Sequence, residues 1–195
     1  MPDTRTLWRV FPWQQSAGPG EPLAPDYIRP QQWSGRFDLQ DHPLVLYLTE
    51  SRAHAVGEKL QRYRGRTIAA SALREYGWPL ALVRVAVPED VLEAVADLTD
   101  PAVLRKLRLG PDVIASFDRR QTQRIARRIH QRGHTGLRWW SALTGDWHTT
   151  VLLVDRVPRG SLAYGEPARL TLDMPALRDA ARLLGVRIGR SAERR

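Results

Sequence analysis

The sequence predicts an α+β fold, on three observations. Short alternating or continuous apolar runs mark strands, and capped segments with apolar residues at helical spacing mark helices. The two kinds mix irregularly along the chain rather than as repeated βαβ units, which argues against a doubly wound sheet. Thr6–Phe11 alternates apolar and polar side chains and reads as the first strand. Residues Pro12 to Trp33 follow with five prolines, two glycines and no periodicity, so this stretch reads as a long loop of functional or mobile character. Leu44–Leu48 is a buried strand. Ser51 then offers an N-cap for a helix to about Tyr63, with Val56, Leu60 and Tyr63 on its apolar face and Gly65 as its stop. Pro79–Val87 alternates as a strand, and Pro88-Glu89-Asp90 opens a helix expected to run to about Leu98. A helix that starts at Asp118 or the residues after it carries Ile125 and Ile129 and ends near Gly133. Strands are expected at Gly136–Trp140, Thr149–Asp155 and Arg169–Leu172, then a last helix from Met174-Pro175 to Gly185.

A chain of 195 residues is long enough for one well-packed domain, here expected over 1–189 with a frayed basic tail at 190–195. The longest apolar runs, such as Val151–Val154, are of strand length, so no membrane span is expected. Residues Met1–Arg5 lack the apolar stretch of a secretory signal. The absence of cysteine excludes a disulfide framework, thiolate chemistry and the common structural zinc sites. Together these features fit a cytoplasmic protein. The net charge of +9 and a pI near 10.9 raise a nucleic-acid reading. Of the 30 basic residues only Lys59 and Lys106 are lysines, a skew typical of GC-rich coding, and the arginines are spread along the chain. The dense runs lie at Arg119–Arg132 and in the tail. Such a basic surface suits a nucleotide, a phosphate or an acidic partner as well as a nucleic acid, and no direct nucleic-acid role is assigned.

Phosphate-loop and dinucleotide-fingerprint motifs are missing, and the five histidines form no HExxH. His54 and Glu58, four apart, share a helix face, but no third ligand accompanies them and no metal is expected. The informative pattern is a set of polar residues at the edges of apolar elements: Arg9, Arg36, Tyr47, Glu58 and Ser141. Singly, each has a plain reading: an edge ion pair for Arg9, core for Tyr47, a solvated face for Glu58, a turn for Ser141.

In combination they resemble the RES-domain family, named for its arginine, glutamate and serine, which includes toxins of bacterial toxin–antitoxin pairs. The similarity starts at Leu7-Trp8-Arg9-Val10, resumes at Gly35-Arg36-Phe37, and runs through Leu46–Ser51 into Ala55-Val56-Gly57-Glu58. It closes at Gly136–Ala142, and the spacings from Arg36 to Tyr47 and from Tyr47 to Glu58 are both 11 residues. Phe37 stands where the family favours tryptophan, Trp140 where proline often precedes the serine, and Val10 where some relatives have tyrosine.

The resemblance implies an ADP-ribosyltransferase-like fold, a split, twisted β-sheet flanked by helices that binds NAD as substrate. It implies cleavage of the nicotinamide–ribose bond, with inorganic phosphate or water as acceptor. Arg9 and Arg36 are then expected to hold the pyrophosphate or an incoming phosphate, and Tyr47 to pack on the nicotinamide. Glu58 becomes the catalytic carboxylate, and Ser141 hydrogen-bonds within the NAD site. Trp147 and His148 are further cleft candidates, against a plain strand-start role. Family precedent adds a helix-turn-helix antitoxin that blocks the site. The same fold as a protein ADP-ribosyltransferase, and a basic nucleic-acid-binding module, are the alternatives.

Overall fold

The computed structural model describes residues 3–30, 35–39, 44–116, 118–141 and 143–189. In chain order the elements begin with β1 (Thr4–Pro12), β2 (Val45–Thr49), α1 (Arg52–Leu60), β3 (Thr67–Ile68), β4 (Arg74–Glu75) and β5 (Trp78–Pro88). They continue with α2 (Glu89–Glu93), β6 (Val95–Asp97), α3 (Pro101–Leu107), α4 (Pro111–Ala115) and α5 (Arg119–Gln131). The last are β7 (Gly136–Trp140), β8 (His148–Leu153), β9 (Ala163–Tyr164), β10 (Ala168–Arg169), α6 (Pro175–Leu184) and β11 (Arg187–Ile188). The fold is α+β, with a mostly antiparallel sheet flanked by helices.

The chain forms two compact units. The first comprises Met1–Thr6, Ile28–Leu48 and Ala86–Ala163. Its strands lie in the order β2-β8-β7-β6. β7 and β8 are antiparallel, with Leu137 opposite Val151, while β6 joins β7 in parallel through Ala96 and Leu137. Helix α5 covers this sheet. Asp118 caps it by accepting from Arg120 N at 2.9 Å, and Thr122, Ile125, Ala126 and Ile129 form its buried stripe at helical spacing. Gly136 meets the neighbouring strand so closely that an added Cβ would fall on the Val151 carbonyl oxygen.

The second unit comprises Leu7–Tyr27, Thr49–Val85 and Tyr164–Arg195. Its strands run β10-β5-β1, with β4 and β9 also on β5. Trp8 of β1 lies opposite Thr49 at the end of β2. Helices α1 and α6 pack together. Proline at its first turn starts α6, and Gly185 stops it at φ +65°, the left-handed region where glycine carries no Cβ penalty. A parallel pair, β3 with β11, completes the unit.

Most expected elements are present, with four corrections. The helix begun at Pro88 ends at Glu93, because Val95–Asp97 is taken up as a sheet strand; Leu98 N continues the pairing to Arg138 O at 2.8 Å. Long-range pairing there overrides local helix propensity. Helices α3 and α4 were not foreseen, although Asp100-Pro101 carries a helix-start signal: Asp100 accepts from Ala102 N at 2.7 Å and proline occupies the first turn. The strand expected at Arg169–Leu172 is only Ala168–Arg169, and the one expected to reach Asp155 yields to a 3₁₀ turn at Val154–Arg156. The loop after β1 carries no helix or strand from Trp13 to Pro30, yet it is tied down: Trp13 N donates to Pro79 O, Gln14 N to Leu23 O, and Ala24 is buried. Its last part, together with the 190–195 tail, lies outside the described residues. No helix among the described residues is long and apolar enough to cross a membrane.

Candidate active site

In the first unit, Tyr47 meets a buried carboxylate, Asp38, that sequence reasoning missed, with the Arg36 charge close enough to act on the Tyr47 hydroxyl. Tyr47, on β2, places its hydroxyl as a hub: it accepts from Phe37 N at 3.1 Å and donates to Asp38 Oδ1 at 2.8 Å. Asp38 Oδ2 takes the Gly35 N–H at 2.6 Å. Gly35 is required by this closeness, since a Cβ there would overlap the Asp38 carboxylate and the Tyr47 hydroxyl. Burial, and then the Asp38 charge, push the Tyr47 hydroxyl far above the ordinary phenol range, so it remains a donor. Burial also raises Asp38, against the lowering effect of the Tyr47 and Gly35 donors and of Arg119.

One nitrogen of the Arg36 guanidinium, Nη2, is turned to backbone carbonyls. It donates to Ile114 O, and to Ser116 O at 3.2 Å, at the C-terminal end of α4. Its own carbonyl accepts from Thr122 Oγ1 of α5. The guanidinium also lies 5.7 Å from the Phe37 ring, and that ring packs on Trp139 of β7 with centroids 4.4 Å apart. Tyr47 meets the same indole edge-on at 6.5 Å. Asp38 also lines a cavity of about 310 Å³ with Leu39, Gln123 and the arginines Arg120, Arg124 and Arg127 of α5. Part of the arginine run noted in the sequence thus borders a cavity whose planar forks suit phosphate or carboxylate oxygens.

Ser141 directly follows β7 and is buried. Its N–H donates to Trp147 O at 2.6 Å and its Oγ accepts from Leu143 N at 3.1 Å, so it organises the turn into β8. His148 opens β8 opposite Trp140, a strand-start position.

The second unit holds the other two candidates. Arg9, on β1, donates to Pro25 O at 3.4 Å and to Tyr27 O at 3.3 Å, and hydrogen-bonds Tyr164. Burial lowers its pKa, against the raising influence of Tyr164 and Asp26; a guanidinium stays charged regardless. Carbonyl oxygens of the proline-rich loop thus occupy the place where the sequence suggested an edge ion pair. Glu58 stands near the end of α1, 38% exposed, with its Oε1 3.0 Å from His54 Nε2 and its Oε2 accepting from Gln61 Nε2 at 3.3 Å. The His54–Glu58 spacing noted in the sequence therefore makes a bonded pair, and no cluster of three metal-ligating residues exists among the described residues.

The chain resembles known proteins in fold and in sequence. Its fold matches a chain of the M. tuberculosis MbcT–MbcA toxin–antitoxin complex at TM-score 0.59 and 20% identity, over 95% of this chain and 91% of that one. No curated protein matches the sequence. The RES domain model matches residues 6–173, and the chain belongs to the RES-domain family.

Proposed function

We propose that this protein is a toxin-type enzyme that consumes NAD by breaking the bond between nicotinamide and ribose. The observation that carries this reading is the family match over 6–173, which spans Arg9, Arg36, Tyr47, Glu58 and Ser141 together. As the C1′–N bond breaks, its electron pair leaves with nicotinamide, which departs neutral, and positive charge develops on the ribose as in glycoside cleavage. No general acid is then needed. A fixed carboxylate, Glu58, stabilises that charge and orients the ribose hydroxyls or the nucleophile. Arg9 and Arg36 supply guanidinium forks for pyrophosphate or phosphate, Tyr47 an aromatic face for the cationic nicotinamide, and Ser141 a hydrogen bond. Phosphate or water attacks C1′ and releases its proton.

The fold match to a chain of a toxin–antitoxin complex supports a protein partner, which we take to be a helix-turn-helix antitoxin that blocks the site. The basic surface suits an acidic plug.

Incubation of the purified chain with NAD, with and without inorganic phosphate, tests the reading. Free nicotinamide with ADP-ribose in water, or with its 1″-phosphorylated form in phosphate, supports it and names the acceptor. NAD left intact without a protein target, but labelled protein in its presence, replaces it with protein ADP-ribosylation.

A further inference from the structure

Glu58 projects from the last turn of a nine-residue helix and is 38% exposed. A glutamate so placed normally samples several rotamers, and fixing it in one costs side-chain entropy. Here both oxygens are engaged from its own helix and the turn that follows. His54, one helical turn earlier, is wholly buried and sets Nε2 3.0 Å from Oε1. Gln61 sets Nε2 3.3 Å from Oε2 and also donates to the Glu58 carbonyl at 3.0 Å. An ionised carboxylate only accepts, so Nε2 of His54 carries the proton in this pair.

His54 is itself fixed. Its backbone N–H donates to the Ser51 Oγ cap at 3.1 Å, and its imidazole sits in the interior of the unit. The sequence of supports runs from the helix cap to a buried ring to a carboxylate that still faces solvent. Burying a polar ring is costly unless its hydrogen bonds are made, and an apolar side chain would pack at this position at no such cost. The geometry therefore favours a purpose for the ring beyond filling space.

We propose that His54 is a positioning residue that holds the Glu58 carboxylate in one orientation for reaction, with Gln61 as an auxiliary donor. The inference rests on the reading of Glu58 as the catalytic carboxylate. A carboxylate that stabilises charge developing on a ribose ring is effective only in a narrow geometry, and a misplacement of about 1 Å can cost roughly 100-fold in rate.

The test compares His54→Leu, His54→Gln, Gln61→Ala and Glu58→Gln in the full chain, by nicotinamide release at varied NAD and by thermal melts. His54→Leu is expected to lower kcat by roughly 10- to 100-fold with KM for NAD nearly unchanged. His54→Gln, which can still present an Nε2 donor, recovers most of that loss, and Gln61→Ala loses less. The double variant His54→Leu/Glu58→Gln is no slower than Glu58→Gln alone, as expected of residues acting as one unit. Should leucine fail to fold, His54→Asn, whose amide stops short of Glu58, takes its place. A folded His54→Leu (or His54→Asn) with wild-type kcat, beside an inactive Glu58→Gln, overturns this inference alone. His54→Gln as slow as the leucine variant while melting like wild type overturns it too. A wild-type chain that releases no nicotinamide overturns the reading of Glu58 and this inference with it.

Discussion

Replacing Tyr47 with phenylalanine removes one oxygen from the polar cluster around the buried Asp38 and leaves the ring in place. Two partners lose it: Asp38 Oδ1, which receives its proton at 2.8 Å, and Phe37 N–H, which donates to it at 3.1 Å. Asp38 is only 3% exposed, so water is poorly placed to substitute. Loss of a donor to a charged acceptor costs about 1.5–3 kcal/mol, whereas a neutral hydrogen bond contributes about 1 kcal/mol. The orphaned amide adds part of a further ~1–3 kcal/mol. We therefore expect Tyr47→Phe to lose about 3 kcal/mol at neutral pH, a fall in Tm of roughly 6–12 °C for a chain of this size.

The loss should depend on pH, with a definite sign. Burial raises Asp38 in the folded state, so its ionisation favours unfolding; the stability it contributes is fully present below the ordinary carboxylate value of about 3.9 and is lost as pH rises through the folded value. The Tyr47 hydroxyl opposes that rise. Without it the folded value climbs further, so the gap between wild type and variant widens as pH increases through this window and is smallest below it. Thermal or denaturant unfolding at about pH 3.5 and pH 7 reads both quantities. Asp38→Asn is the control, because it keeps an acceptor for Tyr47 and cannot ionise. A Tyr47→Phe variant with wild-type stability at pH 7, or with an equal loss at both pH values, would refute this account of the cluster.

Other substitutions test other parts of the structure. Gly136→Ala drives a Cβ into the Val151 carbonyl and should cost about 1–3 kcal/mol by overpacking, or prevent folding, in a denaturant melt; unchanged stability contradicts the close β7–β8 approach. Ser51→Ala removes the cap of α1 and should cost about 1 kcal/mol in the same assay. Because the cap also holds His54, nicotinamide release should fall in Ser51→Ala even at temperatures where the variant is fully folded.

How far the sequence could be read varied with the range of the interactions. Helices α1, α5 and α6 carry their own start and stop signals, Ser51, Asp118, Pro175 and Gly185, and these are local. Strand β7 was bounded correctly because its apolar residues are flanked by turn chemistry at both ends. By contrast β6 follows α2 without a break in apolar character, and only its pairing with β7 distinguishes it from more helix. The site shows the same divide. Arg9, Arg36, Tyr47, Glu58 and Ser141 stood out as residue types in order, but the two arginines find their partners in carbonyls of Pro25, Tyr27, Ile114 and Ser116, and backbone atoms leave no trace in side-chain pattern. Asp38 was within reach, two residues after Arg36, yet nothing in composition marks a carboxylate as buried. The His54–Glu58 spacing was visible, and the structure makes it a hydrogen-bonded pair on one helix face.

Glu58 of this RES-domain chain is proposed to serve cleavage of the nicotinamide–ribose bond. The most direct measurement is the rate of nicotinamide release from NAD by wild type and by Glu58→Gln, an isosteric change that removes the charge, with melts to show that both are folded. The account predicts steady release by wild type and a loss of at least about 100-fold in the variant, as for removal of a fixed electrostatic stabiliser. Equal rates in two folded proteins would contradict it.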